Sequence, residues 1–132
     1  MTNFEKLQEF HKAINGANPT KPIIPNEKTI NLRETLISEE YNELMEALNI
    51  LKASANKEAH LASFMHELAD LLYVCYGTFV DFGVDADEVF AEIHRVNMLK
   101  LTGPKRADGK QLKPKGWKAA DIQAVIDKMS GT

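Results

Sequence analysis

The residues of this chain best placed to do chemistry are acids at helical spacing: Glu39, Glu40, Glu43 and Glu46 in one group, Glu67 and Asp70 in a second. Residues three or four apart share a helix face, so Glu40 stacks beside Glu43 and Glu67 beside Asp70, with Glu39 flanking the first pair. Two such helices side by side would enclose a nest of oxygen ligands. Hard oxygen donors favour Mg2+ or Mn2+ over zinc.

The competing reading is a solvated acidic helix face. Like charges three or four apart cost a helix a few tenths of a kcal/mol per pair (~0.2–0.5), and no Lys or Arg stands among Glu39 to Glu46 to compensate. Glu67 and Asp70 lie on a helix that is otherwise apolar, where an unpartnered ionised carboxylate is costly to bury. The remaining alternative to a metal is salt bridging to Arg33, Lys52 or Arg95. His66-Glu67 begins the zinc motif H-E-x-x-H, but position 70 is Asp, so His66 is read as a helix-surface or supporting residue.

The elements that must position these groups are all helical. Thr2-x-x-Glu5 is a capping-box pattern, and Phe4, Leu7, Phe10, His11 and Ile14 predict a first helix to about Asn15-Gly16. Pro19, Pro22 and Pro25 make residues 16–28 an extended strap. A second helix is predicted from Thr29–Asn31 and carries the first acidic group. A third, from about Glu58 to Asp81, carries the second and ends at Gly83. Asp85-x-x-Glu88 opens a fourth through Leu101, and a short terminal helix spans about Ala119 to Met129. No strand pattern is present. The fold class is all-α: a bundle of four main helices plus a short C-terminal one, in a single domain over 1–132 with a basic loop at 102–118.

Leu68 to Val80 is apolar nearly all round apart from Asp70, Gly77 and Thr78, and a helix apolar on every side is buried on every side. A chain of 132 residues has few helices to cover it, so a homodimer or homotetramer is expected. No run is long enough to span a bilayer and the first residues lack a signal-peptide pattern, which makes a cytoplasmic protein without a membrane partner the expectation. Cys75, the single cysteine, reads as a small core residue.

Charge is divided unevenly. Seven basic residues from Lys100 to Lys118 face one acid, Asp108, so the remainder carries a net charge of −9 within the overall −3. An acidic bundle with a basic loop suits metal and polyphosphate together. A non-catalytic helical module binding nucleic acid through the loop is the rival of another class. It is disfavoured, because the loop has only Trp117 as an aromatic and the acidic body repels phosphate chains.

Glu39-Glu40-x-x-Glu43, followed two dozen residues later by Glu67-x-x-Asp70 and the run Leu71-Leu72-Tyr73-Val74, resembles the signature of the MazG-like all-α NTP pyrophosphatase superfamily. Phe10-His11-x-Ala13, Leu32-Arg33, His94-Arg95-x-Asn97-Met98-x-Lys100, Asp108-Gly109-Lys110 and Lys113-x-x-Gly116-Trp117 are similar to its single-domain branch. The lead-in Leu36-Ile37-Ser38 differs from the Lys-x-Gly pattern of phosphoribosyl-ATP pyrophosphohydrolase, so the histidine-biosynthesis activity is the lesser reading.

The resemblance implies Mg2+-dependent hydrolysis of a nucleoside triphosphate between its α and β phosphates, in nucleotide pool control or housecleaning. Glu40, Glu43, Glu67 and Asp70 would hold Mg2+, with Mn2+ a possible substitute. Glu39 would serve the attacking water as catalytic base. Asn97 and Lys100, three apart on one face, would hold phosphates, and Lys110 and Lys113 would close over the outer ones. Phe4, Phe10, His11, Tyr41, Tyr73 and Trp117 are the aromatic groups available to a base.

Overall fold

The structure is a computed structural model describing residues 1–131, so the last residue of the expected 1–132 domain lies outside the described residues. It is all-helical: α1 (Asn3–Asn15), α2 (Glu27–Ala53), α3 (Leu61–Asp81), α4 (Ala86–Met98) and α5 (Ile122–Met129). The only strand-like pairing among the described residues is an isolated antiparallel bridge between Lys105 and Gln111.

Local chemistry sets the helix ends. At α1 the capping box closes in both directions, with the Glu5 N–H donating to Thr2 Oγ1 (3.2 Å) and the Thr2 N–H to Glu5 Oε1 (2.8 Å). α2 begins at Glu27, earlier than the predicted Thr29–Asn31, because Asn26 is its N-cap and accepts the Thr29 N–H at 2.8 Å. The predicted start of the third helix near Glu58 is instead a 3-10 turn, Lys57–His60. There Lys57 Nζ donates to the carbonyls of Lys52 and Ser54, which end α2 (3.2 and 2.8 Å). Asp85 caps α4 by accepting the Asp87 N–H, but the predicted box with Glu88 is not completed: the Asp85 N–H points at Met129 Sδ. α4 stops at Met98 and tightens into the 3-10 turn Leu99–Thr102, short of the predicted helical Leu101. α5 starts at Ile122, later than Ala119, capped by Asp121.

Apolar burial concentrates where α1, α3 and α4 meet, around Phe4, Leu7, Val80 and Ala86 with Tyr76 and Phe79 against them. The strap crosses this end. The Ile23 N–H donates to Phe82 O (2.9 Å) and Asn18 Nδ2 to Gln8 O (2.8 Å), and Gly83 adopts φ +66 with no room for a side chain against the Lys21 carbonyl.

Polar groups rather than oil join α1, α2 and α3 over the last two turns of α3. Arg33 and His11 are buried, and both reach Asp81: His11 Nδ1 to Oδ1 at 2.9 Å, Arg33 Nη1 to Oδ2 at 3.3 Å. Arg33 also donates through Nε to Thr78 Oγ1 (3.2 Å) and through Nη2 to Val74 O (3.1 Å). These side chains lie on the α3 backbone at Gly77, where a Cβ would stand 2.8 Å from His11 Nε2. The contacts run α2 against α3 antiparallel, Arg33 opposite Val74 to Asp81 and Glu40 opposite Glu67 to Asp70.

Within one chain α3 is not buried on every side, in keeping with the expectation that a chain of this length has too few helices to cover it. α1 and α2 cover two faces and leave Met65, Leu68 and Leu72 exposed, Leu72 by 52%. Exposed Phe90 and Ile93 of α4 extend this apolar surface beside Leu72, Cys75 and Phe79.

Removing the Asp81 carboxylate would leave the Arg33 guanidinium buried without its counterion. Asp81→Ala is expected to lower unfolding free energy by about 3–5 kcal/mol in urea denaturation. A loss below about 1 kcal/mol would show that the network does not hold the helices together.

Candidate metal centre

Glu40 of α2 and Glu67 and Asp70 of α3 each bring a carboxylate oxygen to within 4.8 Å of the others. All three are half-buried, and Glu40 Oε2 and Glu67 Oε2 are fully buried with no hydrogen-bond partner. Buried polar atoms normally have partners, so two such carboxylate oxygens in one cluster fit a site for a cation. Glu43 stands at the edge, exposed, yet close enough to act on both Glu40 and Glu67.

The electrostatics follow from this crowding. The Glu40 carboxyl is raised above its ordinary 4.5 first by burial, then by the charges of Glu43 and Asp70. Glu67 is raised by burial, then by its hydrogen bond with Glu43 and the charges of Glu43 and Asp70, with His66 opposing. The salt-bridge alternative does not occur for Arg33 or Arg95: Arg33 pairs with Asp81, and Arg95 with Glu92 at 2.7 Å. Among the described residues no ion pair involves Glu40, Glu43 or Glu67, and Lys52 makes none. His66 Nε2 meets Asp70 Oδ2 at 3.1 Å on an exposed surface, which fits a supporting residue and gives no zinc set.

The other sequence candidates lie elsewhere. Glu39 is exposed, one residue before Glu40 on α2. Asn97 is exposed at the end of α4. Lys100 and Lys113 hold their Nζ atoms 4.9 and 5.7 Å from the centre of the Trp117 ring, and Lys110 is exposed beyond the Gly109 turn (φ 91). None of these lysines touches the carboxylates within the chain. The loop carrying them is fixed: Gln111 Nε2 donates to the carbonyls of Lys100 and Gly103 (2.8 and 2.7 Å), and Trp117 Nε1 to Val96 O (2.6 Å).

One turn along the same seam from the carboxylates, a cleft of about 350 Å³ opens between α1, α2 and α3. Phe10 and Tyr73 meet edge to face across it, ring centres 5.6 Å apart, and His11, Arg33 and Asp81 line its depth. Leu36 precedes Glu40 by one turn and Val74 follows Asp70 by one turn, so cleft and cluster adjoin. Sequence reading missed Asp81 and Glu92. An acid inside the apolar stretch from Tyr76 to Phe82 was the available signal for the first; nothing local marked the second.

Three carboxylates thus meet on two antiparallel helices of an all-helical bundle, a donor set that suits a hard cation. The phosphoribosyl-ATP pyrophosphohydrolase family matches residues 7–97, and the chain belongs to that family, within the MazG-like all-α NTP pyrophosphatase superfamily. The chain is also 32% identical over 90 residues to the uncharacterized protein L479 of Acanthamoeba polyphaga mimivirus. That match covers 65% of this chain and 33% of the relative, so the chain spans about a third of the length of the curated relative it matches. No helix among the described residues is long and apolar enough to cross a membrane.

Because Glu40 and Glu67 take up protons more readily folded than unfolded, the metal-free protein should lose stability as pH rises from about 4.5 through their raised folded values. Thermal melts in EDTA between pH 4.5 and 7.5 should show that fall, and Glu40→Gln/Glu67→Gln should flatten it. An unchanged slope in the double variant would mean the cluster is not the origin.

Proposed function

We propose that the chain is a Mg2+-dependent nucleoside triphosphate pyrophosphohydrolase, cleaving between the α and β phosphates to give a nucleoside monophosphate and pyrophosphate. The observation carrying this reading is the pair of orphaned buried oxygens, Glu40 Oε2 and Glu67 Oε2, in a cluster with Asp70. Family membership supports hydrolysis of a phosphoric anhydride in a nucleotide-like substrate.

The donor set is all carboxylate oxygen, which suits Mg2+ and accepts Mn2+. Glu40, Glu67 and Asp70 would hold the metal, with Glu43 completing the set from the edge. Bound there, Mg2+ supplies Lewis-acid stabilisation of charge on the phosphate oxygens. Glu39, exposed beside the ligands, would take a proton from the attacking water. The adjoining Phe10/Tyr73 cleft would receive the nucleoside while the phosphates lie over the carboxylates. Asn97, Lys100, Lys110 and Lys113 would bind phosphates from α4 and the loop. They are remote from the cluster within one chain, and the exposed apolar surface of Met65, Leu68, Leu72 and Phe90 supports assembly into a homodimer or homotetramer that brings them closer. Removal of unwanted deoxynucleotides is the role that fits such an activity.

With Mg2+ and a panel of canonical, modified and phosphoribosylated nucleotides, pyrophosphate is the expected product. Orthophosphate as the primary product, or no product with any of them, would overturn the reading. Glu43→Ala and Asp70→Ala should each abolish turnover with the helical content kept; loss of activity only through unfolding would favour a structural role. Lys100→Ala should weaken triphosphate binding in calorimetry. Light scattering should give a multiple of 14.8 kDa, and a mass of one chain would refute assembly.

A further inference from the structure

The end of α4 and the loop after Pro114 enclose a cavity of about 430 Å³ that none of the carboxylate-bearing helices touches. Arg95, Lys115 and Lys118 line it together with Val96, Leu99 and the Trp117 ring, and no carboxylate does. Lys100 and Lys113, whose Nζ atoms lie 4.9 and 5.7 Å from that ring's centre, back the aromatic wall with further positive charge. A cavity of this size is ordinary for a small ligand, and one with three cations and no acid selects for an anion.

The arrangement is more than a set of surface lysines, because its arginine is aimed. Arg95 Nε and Nη2 donate to the two oxygens of Glu92 at 2.7 and 3.0 Å, and Glu92 Oε2 also accepts the Asp121 N–H at 2.9 Å. Those bonds hold the Glu92 carboxyl at about 2, so it stays charged and keeps the guanidinium fixed. Nη1 is left with both hydrogens uncommitted among the described residues, so the guanidinium keeps donors for a phosphate oxygen although its Nε/Nη2 fork is taken by Glu92. On the facing wall the Trp117 N–H donates to Pro114 O (3.2 Å) in a turn with Gly116 at φ 82, and Trp117 Nε1 to Val96 O (2.6 Å). Lys115 lies within that turn and Lys118 follows it, and neither makes an ion pair among the described residues.

We infer that this cavity is a metal-independent site for a condensed phosphate, separate from the carboxylate cluster, with Arg95, Lys115 and Lys118 as its ligands. The anion is a di- or triphosphate, either free or as the tail of a nucleotide. The inference does not rest on the proposed hydrolysis, since binding is read without metal and without turnover.

Trp117, the single tryptophan, is a reporter in the cavity wall. In EDTA at low salt, its fluorescence should change saturably with inorganic tripolyphosphate and with an α,β-imido nucleoside triphosphate. Equal affinity for the two assigns the site to free polyphosphate, and at least about tenfold tighter nucleotide binding assigns it to the nucleotide. Lys115→Glu/Lys118→Glu should weaken both by about tenfold or more, as should Arg95→Gln, whereas Lys105→Glu, outside the cavity, and Asp70→Asn should stay within about twofold. No saturable change, an equal loss in Lys105→Glu, or abolition by Asp70→Asn would each overturn the separate site. The first would remove it, the second would reduce it to general charge, and the third would merge it with the carboxylate centre.

Discussion

Mutual repulsion among Glu40, Glu67 and Asp70 pushes α2 and α3 apart midway along their seam, and burial of two oxygens without partners adds to the cost. The helices are held together despite this, because two to three turns along the same seam Arg33 bonds to Asp81, Thr78 and the Val74 carbonyl. One seam thus carries an attractive pin near one end and an unrelieved charge midway along it. A cation on the carboxylates would relieve the second without disturbing the first. The opposition explains how a folded chain can maintain an arrangement that its own side chains do not satisfy.

The pin also orders the rest of the bundle. His11 shares Asp81 with Arg33, so α1 is fixed to the same point, and Gly77 is the position on α3 where both side chains can lie against the backbone. The strap then ties to Phe82 beyond the end of α3. The cleft between Phe10 and Tyr73 is the space these three helices leave above the pin. At the other side of the molecule, Gln111 and Trp117 hold the basic loop to α4 through carbonyl groups, and the loop's lysines are displayed from a fixed frame.

Much of this was legible in the residues. Periodicity and the Thr2 capping box gave α1, the prolines gave the strap, and the carboxylate spacings gave three acids that the fold brings within reach of one another. What was not legible depended on partners distant in the chain. Asp81 reads as the polar end of a helix until folding brings Arg33 and His11 to it. The apolar circumference of α3 showed that one chain could not cover it, but not which face α1 and α2 would leave open, and that face is the one at Leu72. Helix starts at Glu27 and Leu61 moved because Asn26 and Lys57 satisfy end groups locally, a competition that apolar spacing does not register. Nor does spacing place Lys100 and Lys113 on an indole ring.

The central claim is that Glu40, Glu67 and Asp70 bind a divalent cation. Electron paramagnetic resonance of Mn2+ tests it directly, because the free-ion signal falls as the ion is bound. The account requires saturable uptake by the nucleotide-free protein, competition by Mg2+, and loss of uptake in Asp70→Asn with the melting profile of a folded protein retained. An undiminished Mn2+ signal with the wild-type chain, or equal uptake by Asp70→Asn, would contradict it.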